Sequence, residues 1–255
     1  MRSFDYIESG KTLLTPHTTS LLAAIHEAKG RQSIQTTIRP DILGTLVAVA
    51  RIQSTDASNR IEGISTSDSR LNDLVSEKVT PRNRNEEEIA GYRDALSVIH
   101  ESHDYIPITP NVILQLHRDL FRHTPLTFAG HFKDSDNVII ERDAHGTSTV
   151  RFAPPSALVT PELIERACSA YTQAIRDGHT DPLLAIAMFI LDFTCIHPFN
   201  DGNGRMSRLL TLLMLCRNGY MVGKYISIEH LIEQSKSTYY EALAASTQGL
   251  SLIHI

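Results

Sequence analysis

The stretch His197-Pro-Phe-Asn-Asp-Gly-Asn-Gly-Arg-Met-Ser-Arg208 constrains this chain more than any other. An apolar run from Leu183 to Ile196 leads into it, and a second from Leu209 to Leu215 leads out. That pattern predicts helix, tight turn, helix, with the polar groups gathered in the turn. The turn holds one imidazole, one carboxylate, two guanidiniums, and Asn203 between two glycines.

The chemistry of such a turn is readable residue by residue. Gly202, Asn203 and Gly204 bring main-chain amides close to a ligand, because glycine tolerates positive φ and near approach. A helix starting near Gly204 adds unpaired N–H groups and a partial positive charge, an anion site suited to phosphate. Arg205 and Arg208 lie three apart and project from one face of that helix, with planar forks that match phosphate oxygens. So much positive charge fits a di- or triphosphate better than a monoester. Asp201 has two readings: a carboxylate favouring the helix dipole, or a ligand for Mg²⁺ bridging phosphates. His197, at the end of the preceding helix, reads as a cap or as a base that takes a proton from an attacking hydroxyl. Spacing therefore points to nucleotidyl or phosphoryl transfer.

These twelve residues resemble the signature of the Fic family, HPFx(D/E)GNGRxxR, and meet every fixed position. The resemblance implies a mainly α Fic-fold helical bundle with a small β-hairpin flap over the active site. It implies an enzyme that transfers AMP from ATP to a Ser, Thr or Tyr hydroxyl of a target protein. By the same likeness His197 is the general base and Asp201 the Mg²⁺ ligand. Gly202, Asn203, Gly204 and Arg205 hold phosphates, Arg208 meets the γ-phosphate, and Phe199 anchors the turn. Doc-type kinases of this fold alter the glycines and the last arginine. Their retention here favours AMP transfer over phosphate transfer.

Upstream, Ser58-Asn-Arg-Ile-Glu62-Gly63 reads locally as a helical turn ending at a glycine. It also resembles the (S/T)xxxE(G/N) inhibitory motif that some Fic proteins carry before the core. That likeness implies that Glu62 pairs with Arg208 and denies it to the γ-phosphate, with Ser58 bracing the helix. The same carboxylate could instead position a water that removes AMP from a modified protein.

Composition narrows the alternatives. The chain has 255 residues, 42% hydrophobic and 21% charged, with net charge −5. That balance offers no electrostatic case for direct nucleic-acid binding or an anionic membrane. No apolar run is long enough for a membrane span, the first residues lack a signal-peptide core, and a cytoplasmic location is expected. Cys168, Cys195 and Cys216 fall in apolar segments without zinc spacing and read as buried hydrophobes.

In chain order, residues 1–15 read as a polar strap. Helices are predicted over Thr19–Lys29, stopped by Gly30, and over Pro40–Gln53, Leu71–Val75 and Glu86–Ser102. Another is predicted over Asn111–Arg122, with Thr109 as cap and Pro110 at its first position. His100 and His103 read as surface or helix-end histidines, and His117 as a core or groove histidine. From Gly130 onward, β-branched runs flanking the turn at Asp143–Ser148 read as a hairpin. The resemblance makes it the flap, along which a target backbone docks at Asn137, Val138 and Ile139. Lys133 stands where the family usually has arginine. Helices over Pro161–Asp177 and Leu183–Ile196 precede the turn, and Asn218-Gly219 caps the helix after it. Ile228–Gln234 and Lys236–Ala245 follow. In the latter, Tyr239 and Tyr240 read as packing residues, and by resemblance as adenine contacts.

The expected organisation is an N-terminal helical region (1–100) carrying the inhibitory motif, a catalytic core (101–250), and a truncated or non-native end (251–255). A homodimer is compatible with it. Two other functions remain open: AMP removal through Glu62, and a nucleotide-sensing module with little turnover.

Overall fold

A computed structural model describes residues 4–38, 40–142 and 148–247. The ending at 251–255 and residues 143–147 of the expected turn lie outside the described residues. The chain is built from α1 (Tyr6–Leu13), α2 (Pro16–Ile38), α3 (Pro40–Ile61), α4 (Asp68–Val75), α5 (Arg84–Ser102) and α6 (Pro110–Leu120). A two-stranded antiparallel hairpin follows, β1 (Ile139–Arg142) with β2 (Ser148–Phe152), pairing Glu141 with Thr149 and Ile139 with Phe152. Then come α7 (Thr160–Asp177), α8 (Pro182–Ile196), α9 (Asn203–Arg217), α10 (Val222–Tyr225), α11 (Ile228–Gln234) and α12 (Lys236–Thr247).

α8 organises the bundle. Its side chains are apolar nearly all round, and such a helix belongs inside. Phe189, Phe193 and Ile196 are buried against α5, α6, α7 and α9 in one core. Full burial of each such side chain stabilises the fold by roughly 1.5–3 kcal/mol. Asp192 is the exception within α8, and the Tyr6 hydroxyl donates to its Oδ2 at 2.7 Å, which ties α1 to the bundle. The caps follow the sequence rules. Asp181 accepts from the Leu183 N–H with Pro182 behind it, and Thr109 accepts from the Val112 N–H with Pro110 at the first position.

Three boundaries differ from expectation. The strap contains α1, because Asp5 caps it by accepting from Glu8 N–H. α2 runs through Gly30 to Ile38, since a stop there needs a left-handed glycine and Gly30 keeps helical φ. α3 continues past Gln53 to Ile61, so Ser58 lies inside it and Glu62 immediately follows it. Beyond Glu62 the chain turns at Gly63, where φ is +79°. His100, read as a surface or helix-end histidine, lies in the last turn of α5 but is buried there, 4% exposed. Cys168, Cys195 and Cys216 are buried and form no disulfide among the described residues. Among the described residues, no helix is long and apolar enough to cross a membrane.

Candidate active site

The turn between α8 and α9 is fixed from within. His197 ends α8 in the left-handed region (φ 50°, ψ 62°), and its N–H donates to the Phe193 carbonyl. That conformation is costly for a residue with a Cβ and turns the chain sharply out of the helix. Phe199 is fully buried, and Asn203 clamps it. The Asn203 Oδ1 accepts the Phe199 N–H at 2.9 Å, while its Nδ2 donates to the Phe199 carbonyl at 2.8 Å. Both ends of this carboxamide are therefore used inside the turn. Gly202 has φ +81°, and a Cβ there would run into the Phe121 ring. Only glycine satisfies both conditions.

Charged groups surround the start of α9 in matched pairs. The Arg205 guanidinium is 1% exposed, lies 2.7 Å from Glu88 Oε2, and sits over the Phe121 ring at 5.0 Å. Glu88, itself buried, also accepts from Arg84 Nε at 2.8 Å. Arg208 is turned the other way. Its Nε donates to Ser58 Oγ at 2.8 Å, and its Nη2 donates to the Ser58 carbonyl at 2.9 Å and to Glu62 Oε1 at 2.7 Å. A Cβ on Gly204 would collide with that Glu62 carboxylate oxygen. The carboxylate thus lies directly over the first turn of α9, where the helix presents its positive end.

Behind Ser58, the fully buried Tyr92 donates to Glu229 Oε1 at 3.1 Å, and Glu229 also meets Ser227 Oγ at 3.3 Å. Burial raises the Tyr92 phenol well above its ordinary range, so it stays a donor. The helix bearing Ser58 is thereby seated against a polar chain reaching α11.

A cavity of about 240 Å³ opens beside the turn. His197, Asn203, Gly204, Arg208 and Glu62 line one side, and Tyr239, Tyr240 and Leu243 of α12 line the other. The two tyrosine rings meet edge to face at 5.6 Å. Phe152, Thr194 and Cys195 add to the wall. Phe152 closes β2, so the hairpin's end reaches the cavity, a contact that alternation alone did not signal. Asp201 sits at the turn's other flank, partly exposed, with Oδ1 accepting the Gly202 N–H at 2.6 Å and Oδ2 3.7 Å from Arg84. Ser58, Glu62, His197 and the glycines are brought together. Arg205 faces away, into its pair with Glu88.

Burial pulls the His197 imidazole down to about 4, and the neighbouring Lys133 charge adds to the effect. It is neutral near pH 7 and able to accept a proton. Lys133 is itself buried, with Nζ donating to the Ile196 carbonyl at 3.1 Å and to Asn137 Oδ1 at 3.0 Å. Desolvation lowers it to about 8. Its N–H donates to the Pro198 carbonyl at 2.8 Å, and Asn137 Nδ2 to the Phe199 carbonyl at 3.3 Å. The strap from Gly130 to Asn137 is thus laced to the turn. Val138 beyond it is half exposed. The Ile139 side chain lies outside the described ones.

Mg²⁺ fits the donors present at one point. A hard cation of this kind takes one or two carboxylates and fills its other positions with phosphate oxygens and water. Asp201 offers one partly exposed carboxylate beside the amide turn. Among the described residues no group of three His, Cys, Asp or Glu could hold a metal by itself.

One buried group escaped the sequence reading, and a second was read only as a core or groove histidine. Glu88 looked like one of three acidic residues favouring the start of α5, and only the fold shows it turned inward to Arg205. His117 looked generic, yet its ring stacks on Phe199 at 3.7 Å and 2° and contacts the turn's main chain.

A description of the Fic/DOC family matches residues 107–215. A Fido domain-containing protein of Dictyostelium discoideum is 37% identical over 128 residues, covering 47% of this chain and 83% of that protein. The chain belongs to the Fic/DOC family. The protein adenylyltransferase Fic of Nematostella vectensis is 24% identical over 202 residues, 75% of this chain. The chain spans 42% of that relative and 25% of protein adenylyltransferase fic-1 of Caenorhabditis elegans. A Fic family protein from Desulfovibrio desulfuricans has the same fold, with TM-score 0.75 at 24% identity, covering 92% of this chain and 68% of that one. The mainly helical Fic fold expected from the turn is the one observed.

Proposed function

We propose that the chain transfers AMP from ATP to a hydroxyl side chain of a target protein, and that Glu62 holds it in a restrained state. The observation that carries this reading is the cavity where His197, the amide turn and Arg208 meet, with Glu62 bonded to Arg208 inside it.

In this reading the triphosphate lies along the first turn of α9. The main-chain amides of Asn203 and Gly204 at the helix end hold its oxygens, while the Asn203 and Arg205 side chains keep that surface in shape. The base lies among Tyr239, Tyr240 and Leu243. Neutral His197 takes the proton of the attacking Ser, Thr or Tyr hydroxyl. The oxygen then bonds to the α-phosphorus, the bond to the bridging oxygen breaks, and pyrophosphate leaves. Arg208, once free, stabilises the charge on the departing group, and positioning with charge stabilisation is most of what such transfer needs. Mg²⁺ at Asp201 would neutralise phosphate charge. Asn137 and Val138 lead into the strand along which a target backbone would add. On this view residues 1–100 regulate and 101–250 catalyse.

While Glu62 engages Arg208, the γ-phosphate lacks its partner and meets a carboxylate instead. The relatives named protein adenylyltransferases agree with the activity. A second reading, AMP removal, draws on the placement of Glu62 in the same cavity as His197. The test is labelling with α-phosphate-labelled ATP and Mg²⁺ in cell extract, comparing the parent, Glu62→Gly, and Glu62→Gly with His197→Ala. Label confined to the Glu62→Gly protein is expected. No label in any of them, with ATP binding intact, overturns the transfer reading. Release of AMP from a modified protein would then favour the second.

A further inference from the structure

We propose that His117 is the positioning residue that keeps the Asp201 carboxylate in register with the amide turn, and that it does so as the neutral Nε2–H tautomer. The inference rests on the reading of Asp201 as the residue that meets Mg²⁺ on the nucleotide.

The tautomer follows from two hydrogen bonds. The Gly130 N–H donates to His117 Nδ1 at 2.9 Å, so that nitrogen carries no proton. Nε2 faces the Asp201 carbonyl at 3.1 Å, an acceptor only, so Nε2 must be the donor. The ring cannot trade these roles. It is fully buried, stacked on Phe199 at 3.7 Å, and edged by Phe121 at 5.1 Å. Turning it over would place carbon against both partners and leave two buried polar groups unpaired.

The link to the carboxylate runs through one peptide group. His117 holds the carbonyl end of the Asp201–Gly202 peptide, while its N–H end donates to Asp201 Oδ1 at 2.6 Å. The carboxylate is therefore registered against a peptide plane that α6 bolts in place from below. The other ring nitrogen holds Gly130, where the strap toward Lys133 and Asn137 begins. One imidazole sets the turn and the strap relative to each other. Removing a hydrogen-bonding group behind a metal ligand typically weakens metal affinity or activity by about 10- to 100-fold.

The experiment uses the whole chain carrying Glu62→Gly, with His117→Gln and His117→Asn added separately. Glutamine can place an amide donor where Nε2 stood, whereas asparagine reaches only toward Gly130. Binding of ATP is titrated with Mg²⁺. Asparagine is expected to raise the half-saturating Mg²⁺ roughly tenfold, with glutamine near the parent. Binding of ATP without Mg²⁺ should differ less between the two variants than binding with it. Equal Mg²⁺ requirements in the two variants would overturn the proposal. Two further readouts need no nucleotide. Hydrogen exchange at the Gly202 amide should quicken with asparagine and not with glutamine. Nitrogen-15 NMR of the native imidazole, identified by its loss in His117→Gln, should show Nδ1 unprotonated. A proton on Nδ1, or equal exchange in both variants, sinks the positioning claim even if a variant folds poorly. Loss of all Mg²⁺ dependence in the parent sinks the Asp201 reading instead.

Discussion

Glu62 Oε1 lies 2.7 Å from Nη2 of Arg208, a residue 146 positions further along the chain. The guanidinium is 5% exposed, the carboxylate 33%, so the pair is half shielded from water. Charge-assisted hydrogen bonds in such settings contribute roughly 1.5–3 kcal/mol. Removing the carboxylate should therefore raise Mg²⁺–ATP affinity or AMP transfer by roughly tenfold to a hundredfold. Calorimetric titration of Glu62→Gly against the parent checks this. Equal affinity and equal labelling would show that the pair restrains nothing.

His197→Ala in that background should lower transfer by roughly 10²- to 10⁴-fold while leaving ATP affinity within a factor of a few. The pH profile offers an independent check. A histidine pulled down to about 4 stays neutral across the whole range where an ordinary one would protonate. Single-turnover transfer should stay flat from pH 7 to 5 and fall only as pH approaches 4. Half-loss near pH 6.5 would contradict the burial of this base.

Acid should weaken the fold itself over a defined window. His100, His117 and His197 are each lowered to about 4, with burial the leading cause. Below the ordinary histidine range the unfolded chain binds protons that the folded chain refuses. Stability then rises with pH, and falls as pH drops from about 6.5 toward 4. Neither His100 ring nitrogen has a hydrogen-bond partner among the described residues, and Lys224 and Arg51 are its charged neighbours. His100→Leu should flatten the pH dependence of the melting temperature by about one proton's worth.

The Glu88–Arg205 pair is structural in its consequences. Glu88→Gln leaves a guanidinium that is 1% exposed with only the partly exposed Asp201 carboxylate, 3.9 Å away, as counter-charge, a change that costs about 3–5 kcal/mol. Thermal unfolding should drop by at least about 6 °C. Adding Arg205→Met to remove the stranded charge should recover part of that loss. An additive effect of the two substitutions would count against the pairing.

Two left-handed glycines separate strain from space. At Gly63 a Cβ meets nothing within 4 Å, so Gly63→Ala should cost only about 1 kcal/mol of backbone strain. At Gly202 the same strain comes with a clash against the Phe121 ring, and the loss should be roughly 2–4 kcal/mol with weaker ATP binding. Urea unfolding of the two variants side by side makes the comparison.

Much of this was written in local chemistry. Apolar helices on either side of a Gly-Asn-Gly turn, the Thr109 and Pro110 start of α6, and the Asn218-Gly219 end of α9 all follow from short-range rules. What was not legible is whatever depends on long-range seating. Among three successive acidic residues, nothing local marks Glu86 and Glu88 as the two that will be buried, or Glu88 as the one that meets Arg205. Gly30 offers a stop signal that neighbouring turns override. The function of Asn203 as a staple for Phe199 is invisible in spacing, since the same residue type also suits a ligand. His117 acquires its partners only when Gly130 and Asp201 converge on one ring.

The paired arrangement around the start of α9 carries one more consequence. Arg84, Arg205 and Arg208 stand against Glu62, Glu88 and Asp201, so opposite charges cancel there before any ligand arrives. An approaching polyanion meets little net attraction, and added salt has correspondingly little to screen. Taking away Glu62 leaves an excess of one positive charge. Association of nucleotide should then become both faster and visibly dependent on ionic strength, so the proposed restraint would act at the approach of the ligand as well as in its final grip.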